Sequence, residues 1–366
     1  MAMLCYLVTG ESFMKRLSAF LCSFALMAAF AVPAVAADSI VVKIAGSKPD
    51  GNPQTIGMRY FAKRLGELSN GKYKVQVFPH NQLGKEDNYL TQTRNGTIQM
   101  CCVGPQSSRF HPAMAMFETP MLYKDLDHAH RAMKGGVLEL IIGPAKGQTG
   151  KFGQSFVEKS GMRVLNAYPI GFRHFFTKKE LKTMDDVKGL RMRVPNVPLY
   201  VKFAEFCGIS GQPINYVDLP SALDQGTVDG GDSPFGDILT DRLYEYAPKI
   251  TISGHILVLQ NTLINEKFYQ GLPDQDKEWF KQAALEASEA VWEECARVDA
   301  KAREVITQAG GSVATPDQAF FDGLFKAGEK TWAMFLNEKL DGKDNPGYVP
   351  NAREILDMAL SFKDTK

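Results

Sequence analysis

The chain has 366 residues, and its 42 lysines and arginines nearly balance its 41 aspartates and glutamates, giving a formal net charge of +1. That balance excludes a nucleic-acid-binding protein that relies on a broad basic face. Hydrophobic residues make up 45% and charged residues 23% of the chain, which excludes a disordered or collagen-like protein. The length predicts two domains or one large domain.

The N-terminus has the parts of a secretory signal peptide. A basic start after Met14 is followed by an apolar run over residues 17–32 and by a small-residue exit that ends at Ala36. The run is short for a membrane span, which needs about 20 apolar residues, although a retained anchor stays an alternative. We therefore predict that residues 1–36 are a leader, translated from Met14, cleaved after Ala36 and directing the protein to the periplasm.

The mature chain begins with alternating strand and helix patterns. Runs of buried or alternating apolar residues predict strands, and apolar residues at a period near 3.6 predict helices. The predicted elements are strand 39–45, a helix from Pro53 to Asn70, strand 73–77, helix 86–94 and strand 97–103. This order is typical of a parallel or mixed sheet with helices on its faces.

The same alternation restarts near residue 162, so the sequence predicts a second α/β unit. Its predicted strands are 162–167, 175–177 and 190–194, with an extended segment at 212–216, and its predicted helices follow Thr183, span 199–206 and span 220–225.

One long helix is predicted from Pro273 to Ala309, because this stretch has no internal glycine or proline. At 1.5 Å per residue it would extend about 55 Å, which is longer than one small domain. It must therefore pack across both units or project into solvent, and its regularly spaced apolar residues favour packing.

Four cysteines remain after the leader: Cys101, Cys102, Cys207 and Cys295. An oxidising compartment permits disulfides, and four cysteines allow three pairings between which sequence cannot choose. Adjacent residues on a strand face opposite sides, and the spacing of a zinc site is absent. We expect these cysteines to be small buried hydrophobic residues.

No enzyme motif is present in the chain. It lacks a Gly-x-Ser-x-Gly elbow, a phosphate-binding Gly-x-x-x-x-Gly-Lys loop and a His-Glu-x-x-His zinc motif. His128 and His130 are two apart and would lie on different faces of a helix. The acidic cluster at 229–232 lacks the spacing of a calcium loop. A pair of catalytic carboxylates that are distant in sequence stays possible.

The stretch from Gly171 to Pro234 carries the most specific pattern. It contains G-F-R-H-F-F-T, then T-M-D-D-V-K-G-L-R-M-R-V-P, then A-L-D-Q-G-T-V-D-G-G-D-S-P. These segments resemble the DctP-like solute-binding proteins of TRAP transporters. S-N-G-K at 69–72, N-Q-L-G at 81–84, P-M-L-Y at 120–123 and His255 agree with the same family, so the resemblance covers essentially the whole mature chain.

The resemblance implies a two-lobed, type II-like periplasmic binding protein fold. In this α/β fold, mixed sheets carry helices on both faces and a long helix spans both lobes. It places lobe I at 37–169 with a return segment at about 256–300, lobe II at 170–255, the lobe-spanning helix at 273–309 and a C-terminal helical segment that packs on the lobes at 310–366.

The resemblance also implies a function. Such a protein captures a small organic anion between the lobes, for example a uronate, a dicarboxylate or a keto acid, and delivers it to membrane permease subunits. It is no enzyme, needs no cofactor or metal, binds no nucleic acid and acts as a monomer. A binder of small sulfonates, or an exported sensor or enzyme on the same scaffold, are the alternatives.

Two arginines are the main candidates for ligand binding. Arg193 precedes Pro195 at the carboxyl end of a predicted strand, where open α/β sheets bind ligands, and a guanidinium matches a carboxylate bidentately. The resemblance makes Arg193 the anion clamp, with an internal ion pair as its alternative. It makes Arg173 a second arginine of the site, with an interlobe salt bridge as its alternative. Arg191 is expected to be a surface charge.

The resemblance suggests five further ligand-binding residues. Ser233 stands where the family often has asparagine, and its shorter hydroxyl leaves space for a different ligand substituent. Asp232 stands at a common glutamate and is expected to support the loop. Tyr216 is expected either against the ligand or in the core of its lobe. Ser47 and Gln106 fall in loops that line the cleft in relatives.

Overall fold

The computed structural model describes residues 39–143, 152–340 and 342–364. The predicted leader and its cleavage site therefore lie outside the described residues. Of the helices in the described ranges, none is long and apolar enough to cross a membrane.

The described chain alternates strands and helices. The strands are β1 (Ile40–Ala45), β2 (Tyr73–Phe78), β3 (Met100–Val103), β4 (Met162–Thr177), β5 (Arg191–Val194), β6 (Ser210–Pro213), β7 (Gly230–Pro234), β8 (Lys249–Thr251), β9 (Leu257–Asn265), β10 (Ser312–Ala314), β11 (Lys339–Leu340) and β12 (Lys343–Asp344).

The helices are α1 (Pro53–Leu68), α2 (Glu86–Asn95), α3 (Leu126–Ala132), α4 (Leu138–Ile142), α5 (Gly153–Ser160), α6 (Met184–Val187), α7 (Pro198–Phe206), α8 (Leu219–Asp224), α9 (Phe235–Thr240), α10 (Leu243–Tyr246), α11 (Glu266–Gln270), α12 (Asp274–Gln308), α13 (Gln318–Leu336) and α14 (Ala352–Ser361). Short 3₁₀ segments cover Pro105–Arg109, Pro112–Glu118 and Tyr216–Asp218, and a π-helical turn covers Met133–Val137.

Two sheets share the long strand β4. The first sheet has the order β2-β1-β3-β9-β4, with β1 parallel to β2 and β3, and β9 antiparallel to β3 and β4. The second has the order β10-β8-β4-β7-β5-β6, with β5 parallel to β6 and β7. This arrangement confirms the predicted α/β fold class with mixed sheets.

The crossing from one sheet to the other occurs near Gly171. The register with β9 shifts between Pro169 and Gly171, and Gly171 has a φ of 114°, a conformation that disfavours other residues. The prediction of two separate strands here was wrong. The strand continues through the glycine, because β9 pairs with the first part of β4 and β7 and β8 pair with the rest.

The long helix is confirmed as α12, with 35 residues and Pro273 as its N-cap. Its first half packs on α1 through Phe280, Ala284 and Val291, in the core beside the first sheet. Its last turns place Ala302 and Ile306 in the core of the second sheet. The helix therefore bridges both halves of the protein, and α9 and β10 also contact it.

The four cysteines of the described residues, Cys101, Cys102, Cys207 and Cys295, are free and buried. Cys101 and Cys102 lie on β3 and enter different hydrophobic clusters, as their alternation on a strand predicts. Burial raises the pKa of Cys101, Cys102 and Cys207 to about 12. The expectation of small buried hydrophobic residues is confirmed for these four side chains.

Two local expectations differ from the structure. The segment 212–216 is not extended throughout, because β6 ends at Pro213 and Tyr216 begins a 3₁₀ turn in which Asp218 N donates to Asn215 O. The C-terminal segment is not only helical. It starts with β10, which adds to the second sheet beside β8, and it contains the small β11–β12 pair.

Candidate ligand-binding site

The candidate site lies where strands of both sheets end. In the first sheet, β1 is followed by Ser47 and β3 by the 3₁₀ segment that contains Gln106. In the second sheet, Arg193 lies next to last on β5, and Ser233 lies next to last on β7. Since β1 is parallel to β3 and β5 is parallel to β7, each sheet presents the carboxyl ends of neighbouring strands at one edge.

Arg193 is a buried cation that pairs with no acidic side chain in the described part of the chain. Its side chain is 3% exposed, and its Nε donates to Ile214 O at 2.8 Å. Among the described residues, its two terminal nitrogens have no hydrogen-bond or ion-pair partner. Burial, together with the like charge of Arg173, lowers the pKa of Arg193 to about 10. The guanidinium is therefore held in an environment that an added anion would stabilise.

Arg173 is neutralised by Asp232. Its Nε lies 2.5 Å from Asp232 Oδ2 and its Nη2 lies 3.0 Å from Asp232 Oδ1, while the same Nη2 also contacts the carbonyl oxygen of Asp232. Burial alone would lower the pKa of Arg173, but the charge of Asp232 outweighs this effect and raises it. The pair joins β4 to β7 within the second sheet, so it is not the interlobe salt bridge considered as an alternative.

His255 completes this buried network from the segment before β9. Its Nε2 lies 2.9 Å from Asp232 Oδ2, and its Nδ1 lies 2.8 Å from Ser253 Oγ. The ring stacks between Phe175 and Phe203. Burial lowers the pKa of His255 although Asp232 opposes the shift, so the imidazole is held neutral and donates from Nε2 to the carboxylate. Asp232 thus orients Arg173.

Two of the candidate residues carry buried polar atoms that lack a partner. Ser233 is fully buried and its Oγ has no hydrogen bond, and the Oε1 of Gln106 is buried and unpaired as well. A buried polar atom without a partner costs about 1–3 kcal/mol, so a ligand that bonds to these two atoms would gain from the contact. Gln106 has no described contact with the arginines and lies instead beside Gln260 near Gly104.

Tyr216 and Ser47 each contact a charged residue of the site. The Tyr216 ring centroid is 5.5 Å from the guanidinium carbon of Arg193, and its hydroxyl donates to Asp241 Oδ2 at 2.5 Å. Its ring also borders the core of the second sheet, as one of the two expectations for Tyr216 states, while its contact with a ligand stays a prediction. Ser47 Oγ donates to Glu86 Oε1 at 3.1 Å.

Sequence reasoning missed Glu86 and Lys48. Burial raises the pKa of Glu86 even though the charge of Lys48 lowers it. Lys48 follows Ser47 directly, and its Nζ lies 2.8 Å from Asp237 Oδ2 and 3.1 Å from the centroid of the Tyr216 ring. The position of Lys48 next to Ser47 was the available indication for the lysine, whereas Glu86 begins the predicted helix 86–94 and no candidate residue is its neighbour in the chain.

Arg191 shows how position along one strand separates two arginines. It is half exposed and forms an ion pair with Asp229 at 2.7 Å, as a surface charge would.

Among the described residues there is no group of three or more histidine, cysteine, aspartate or glutamate side chains arranged to hold a metal ion.

The fold and the site together define a class of protein. Two α/β halves that share β4 and are bridged by α12, with buried cations and unpaired polar atoms at their strand ends, are typical of binding proteins that enclose a small anion. A family model described as bacterial extracellular solute-binding protein, family 7 (DctP), matches residues 44–339. The chain belongs to this family, which confirms the resemblance. Its members are binding proteins of transporters and not enzymes.

Solved structures and curated relatives agree with the family. A TRAP periplasmic solute-binding protein from Desulfovibrio desulfuricans, with bound sn-glycerol-3-phosphate, is 49% identical, with a TM-score of 0.81 over 89% of this chain and 98% of that chain. One from Haemophilus influenzae, with bound L-gulonate, is 28% identical, with a TM-score of 0.77 over 88% and 99%. The 2,3-diketo-L-gulonate-binding periplasmic protein YiaO of Escherichia coli is 25% identical over 87% of this chain and 93% of its own length. These neighbours confirm the two-lobed fold and the class of solute-binding protein for organic acids.

Proposed function

We propose that the protein binds a small organic anion between its two sheets, with Arg193 as the anion clamp, and delivers it to TRAP permease subunits in the membrane. The observation that carries this proposal is the buried guanidinium of Arg193, whose terminal nitrogens lack an anionic partner among the described residues. Export through the predicted leader would place the mature chain, beginning after Ala36, in the periplasm.

The ligand we favour is a phosphate monoester of the size of sn-glycerol 3-phosphate. A phosphate group is tetrahedral and bulkier than a planar carboxylate, so the short side chain of Ser233 leaves room that the family's usual asparagine would fill. The buried hydroxyl of Ser233 can donate to one phosphate oxygen while Arg193 donates to two others. The relative at 49% identity was solved with this ligand, which supports the same choice.

A sugar acid is the second candidate. The relative from Haemophilus influenzae with L-gulonate supports it, and an arginine fork binds carboxylate and phosphate alike. Glu86 and Gln106 offer oxygen atoms that could accept hydrogen bonds from ligand hydroxyls, so these two residues suit a polyol chain in either case.

Closure supplies part of the affinity in this proposal. A single charge-assisted hydrogen bond contributes about 1.5–3 kcal/mol, whereas micromolar binding needs about 8 kcal/mol. We therefore infer a hinge protein in which lobe I (37–169 with the return segment 256–300) closes on lobe II (170–255), and the ligand selects the closed form. We expect the hinge at Gly171, where the register of β4 shifts and the strand passes from one sheet to the other.

The test is isothermal titration calorimetry on the mature chain, unfolded and refolded beforehand to remove any retained ligand. The panel is sn-glycerol 3-phosphate, L-gulonate, D-galacturonate, succinate and inorganic phosphate. We expect the tightest binding for sn-glycerol 3-phosphate and its loss in Arg193→Gln, while Arg191→Gln, a matched change on the same strand, binds as the wild type does.

Tighter binding of L-gulonate would overturn the phosphate preference and leave the anion site standing. Binding that survives Arg193→Gln would overturn the assignment of the clamp. Small-angle scattering provides the test of closure, since a radius of gyration unchanged at saturating ligand would contradict a hinge motion.

A further inference from the structure

Lys48 makes a buried contact between the two halves of the protein. It lies in the loop between β1 and α1, and its side chain is almost fully buried. Its Nζ donates to Asp237 Oδ2 on α9 at 2.8 Å and lies 3.1 Å from the centroid of the Tyr216 ring. Lys48 follows strand β1 of the first sheet. Its charge thus contacts Asp237 and Tyr216, which follow strands of the second sheet.

The same loop holds Asp237 through its other oxygen. Asn52 Nδ2 donates to Asp237 Oδ1 at 2.9 Å, while Asn52 Oδ1 caps α1 by accepting from Gln54 N at 3.0 Å. The backbones approach closely here, because a Cβ placed on Gly236 would lie 2.9 Å from Pro53 Cδ. Both carboxylate oxygens of Asp237 are therefore bound by the loop from the other half.

We propose that Lys48 is a positioning residue for lobe closure, which draws α9 and the Tyr216 ring onto the loop before α1 and thereby completes the wall of the ligand site. The proposal rests on the proposed function only in taking the closed form as the one that holds the ligand. Nothing in it requires Lys48 to touch the ligand.

The physical basis is the difference between a buried and an exposed interlobe pair. Lys85 Nζ and Asp218 Oδ2 lie 2.9 Å apart and also join the two halves, but both side chains are about half exposed. Exposed pairs contribute about 0.2–1 kcal/mol. Lys48 and Asp237 are both buried, so separation on opening must either rehydrate both groups or leave one of them unpaired.

Other charges surround Lys48 and sharpen the prediction. Its charge acts on the carboxyl groups of Glu86 and Asp241, whose pKa values are raised by burial and would be higher without it. Loss of the lysine therefore leaves one fully buried carboxylate, Asp237, without its cation. Because the contact joins the halves, this loss should change the balance between open and closed forms rather than the folding of either half.

The experiment measures the distance between spin labels on the two halves. Labels are attached at Lys74→Cys on β2 and Asp224→Cys on α8, two exposed positions, in the mature chain, whose own cysteines are buried. The label pair is introduced into four proteins: the wild type, Lys48→Met, Asp237→Asn and the control variant Lys85→Met. Distances are measured without ligand and with sn-glycerol 3-phosphate or L-gulonate, and dissociation constants are measured in parallel.

We expect Lys48→Met to reduce the fraction of short distances and to raise the dissociation constant about 30-fold, which corresponds to about 2 kcal/mol. Asp237→Asn should act in the same direction, and Lys85→Met should change the constant less than threefold. The melting temperature of the ligand-free protein should fall little, because each half stays folded.

Distance distributions and dissociation constants that are the same in wild type and Lys48→Met would overturn the proposal. So would a ligand-free melting temperature that falls while ligand affinity is unchanged, since this describes a static structural contact. If neither anion changes the wild-type distances, the proposed ligands fail, and the ligand-free distances then decide on Lys48 alone: they must lengthen in Lys48→Met for the proposal to stand.

Discussion

Replacing Arg193 by methionine should abolish anion binding and at the same time stabilise the ligand-free protein. Arg193→Met keeps most of the apolar length of the side chain and removes the charge. Within the described ranges, the guanidinium makes one hydrogen bond, to Ile214 O, and pairs with no carboxylate. Its charge is therefore a cost to the folded chain that a bound anion offsets.

The magnitude follows from the environment of Arg193. Burial and the nearby charge of Arg173 lower the pKa of Arg193 to about 10. Relative to an exposed arginine, this corresponds to an upper limit of about 3 kcal/mol against the charged form in the folded chain. A base with a lowered pKa destabilises the fold below that pKa, so the cost is fully present at pH 7 and is relieved as the pH rises through about 10.

Arg173→Met is the matched control, because Arg173 is also buried but is paired. Its removal leaves Asp232 as an uncompensated buried charge, which typically costs about 3–5 kcal/mol. The assay is urea unfolding of each ligand-free variant at pH 7, with a binding titration on the same samples. We expect a free energy of unfolding that rises, or is at least unchanged, for Arg193→Met and falls for Arg173→Met. Equal destabilisation by the two changes would refute this reasoning.

Two further predictions concern single buried groups. Ser233→Ala should weaken binding of sn-glycerol 3-phosphate about tenfold. Because the hydroxyl is unpaired without ligand, the free energy of unfolding of the ligand-free protein should be unchanged or about 1 kcal/mol higher. Titration and urea unfolding check these two results, and a loss of stability would contradict the second. Burial raises the pKa of Glu118 to about 7, so this carboxyl should lower the free energy of unfolding as the pH rises from about 4.5 to 7, by at most about 3 kcal/mol. In Glu118→Gln this part of the pH dependence should disappear from urea unfolding curves measured at pH 5 and pH 8, and an unchanged slope would argue against it.

The overall architecture could be predicted because it follows from local patterns. Periodicity predicted β1, α1, β2, α2 and the long helix α12 close to their observed limits, since each buries one regular face. The continuous strand β4 could not be predicted, because Gly171 resembles a strand break in sequence. The strand continues through Gly171 only because β4 pairs with β9 and β7, which are distant in the chain.

Residues of the site could be predicted where they lie at the ends of strands. They could not be predicted where strand register or contacts between the two halves determine their partners. The strand end before Pro195 indicated a site near Arg191 and Arg193, the family resemblance chose Arg193 between them, and burial now separates the two. The pairing of Arg173 with Asp232 depends on the antiparallel register of β4 and β7, which sequence does not specify. Lys48 acquires its position only when the two halves meet, so no local pattern indicated it.

The most direct test of the central claim is a crystal structure of the mature protein grown with sn-glycerol 3-phosphate. The account predicts one phosphate group between the two sheets, with its oxygens about 2.7–2.9 Å from the terminal nitrogens of Arg193 and within hydrogen-bond distance of Ser233 Oγ. A closed structure in which the anion lies elsewhere, or in which Arg193 makes no contact with it, would contradict the account.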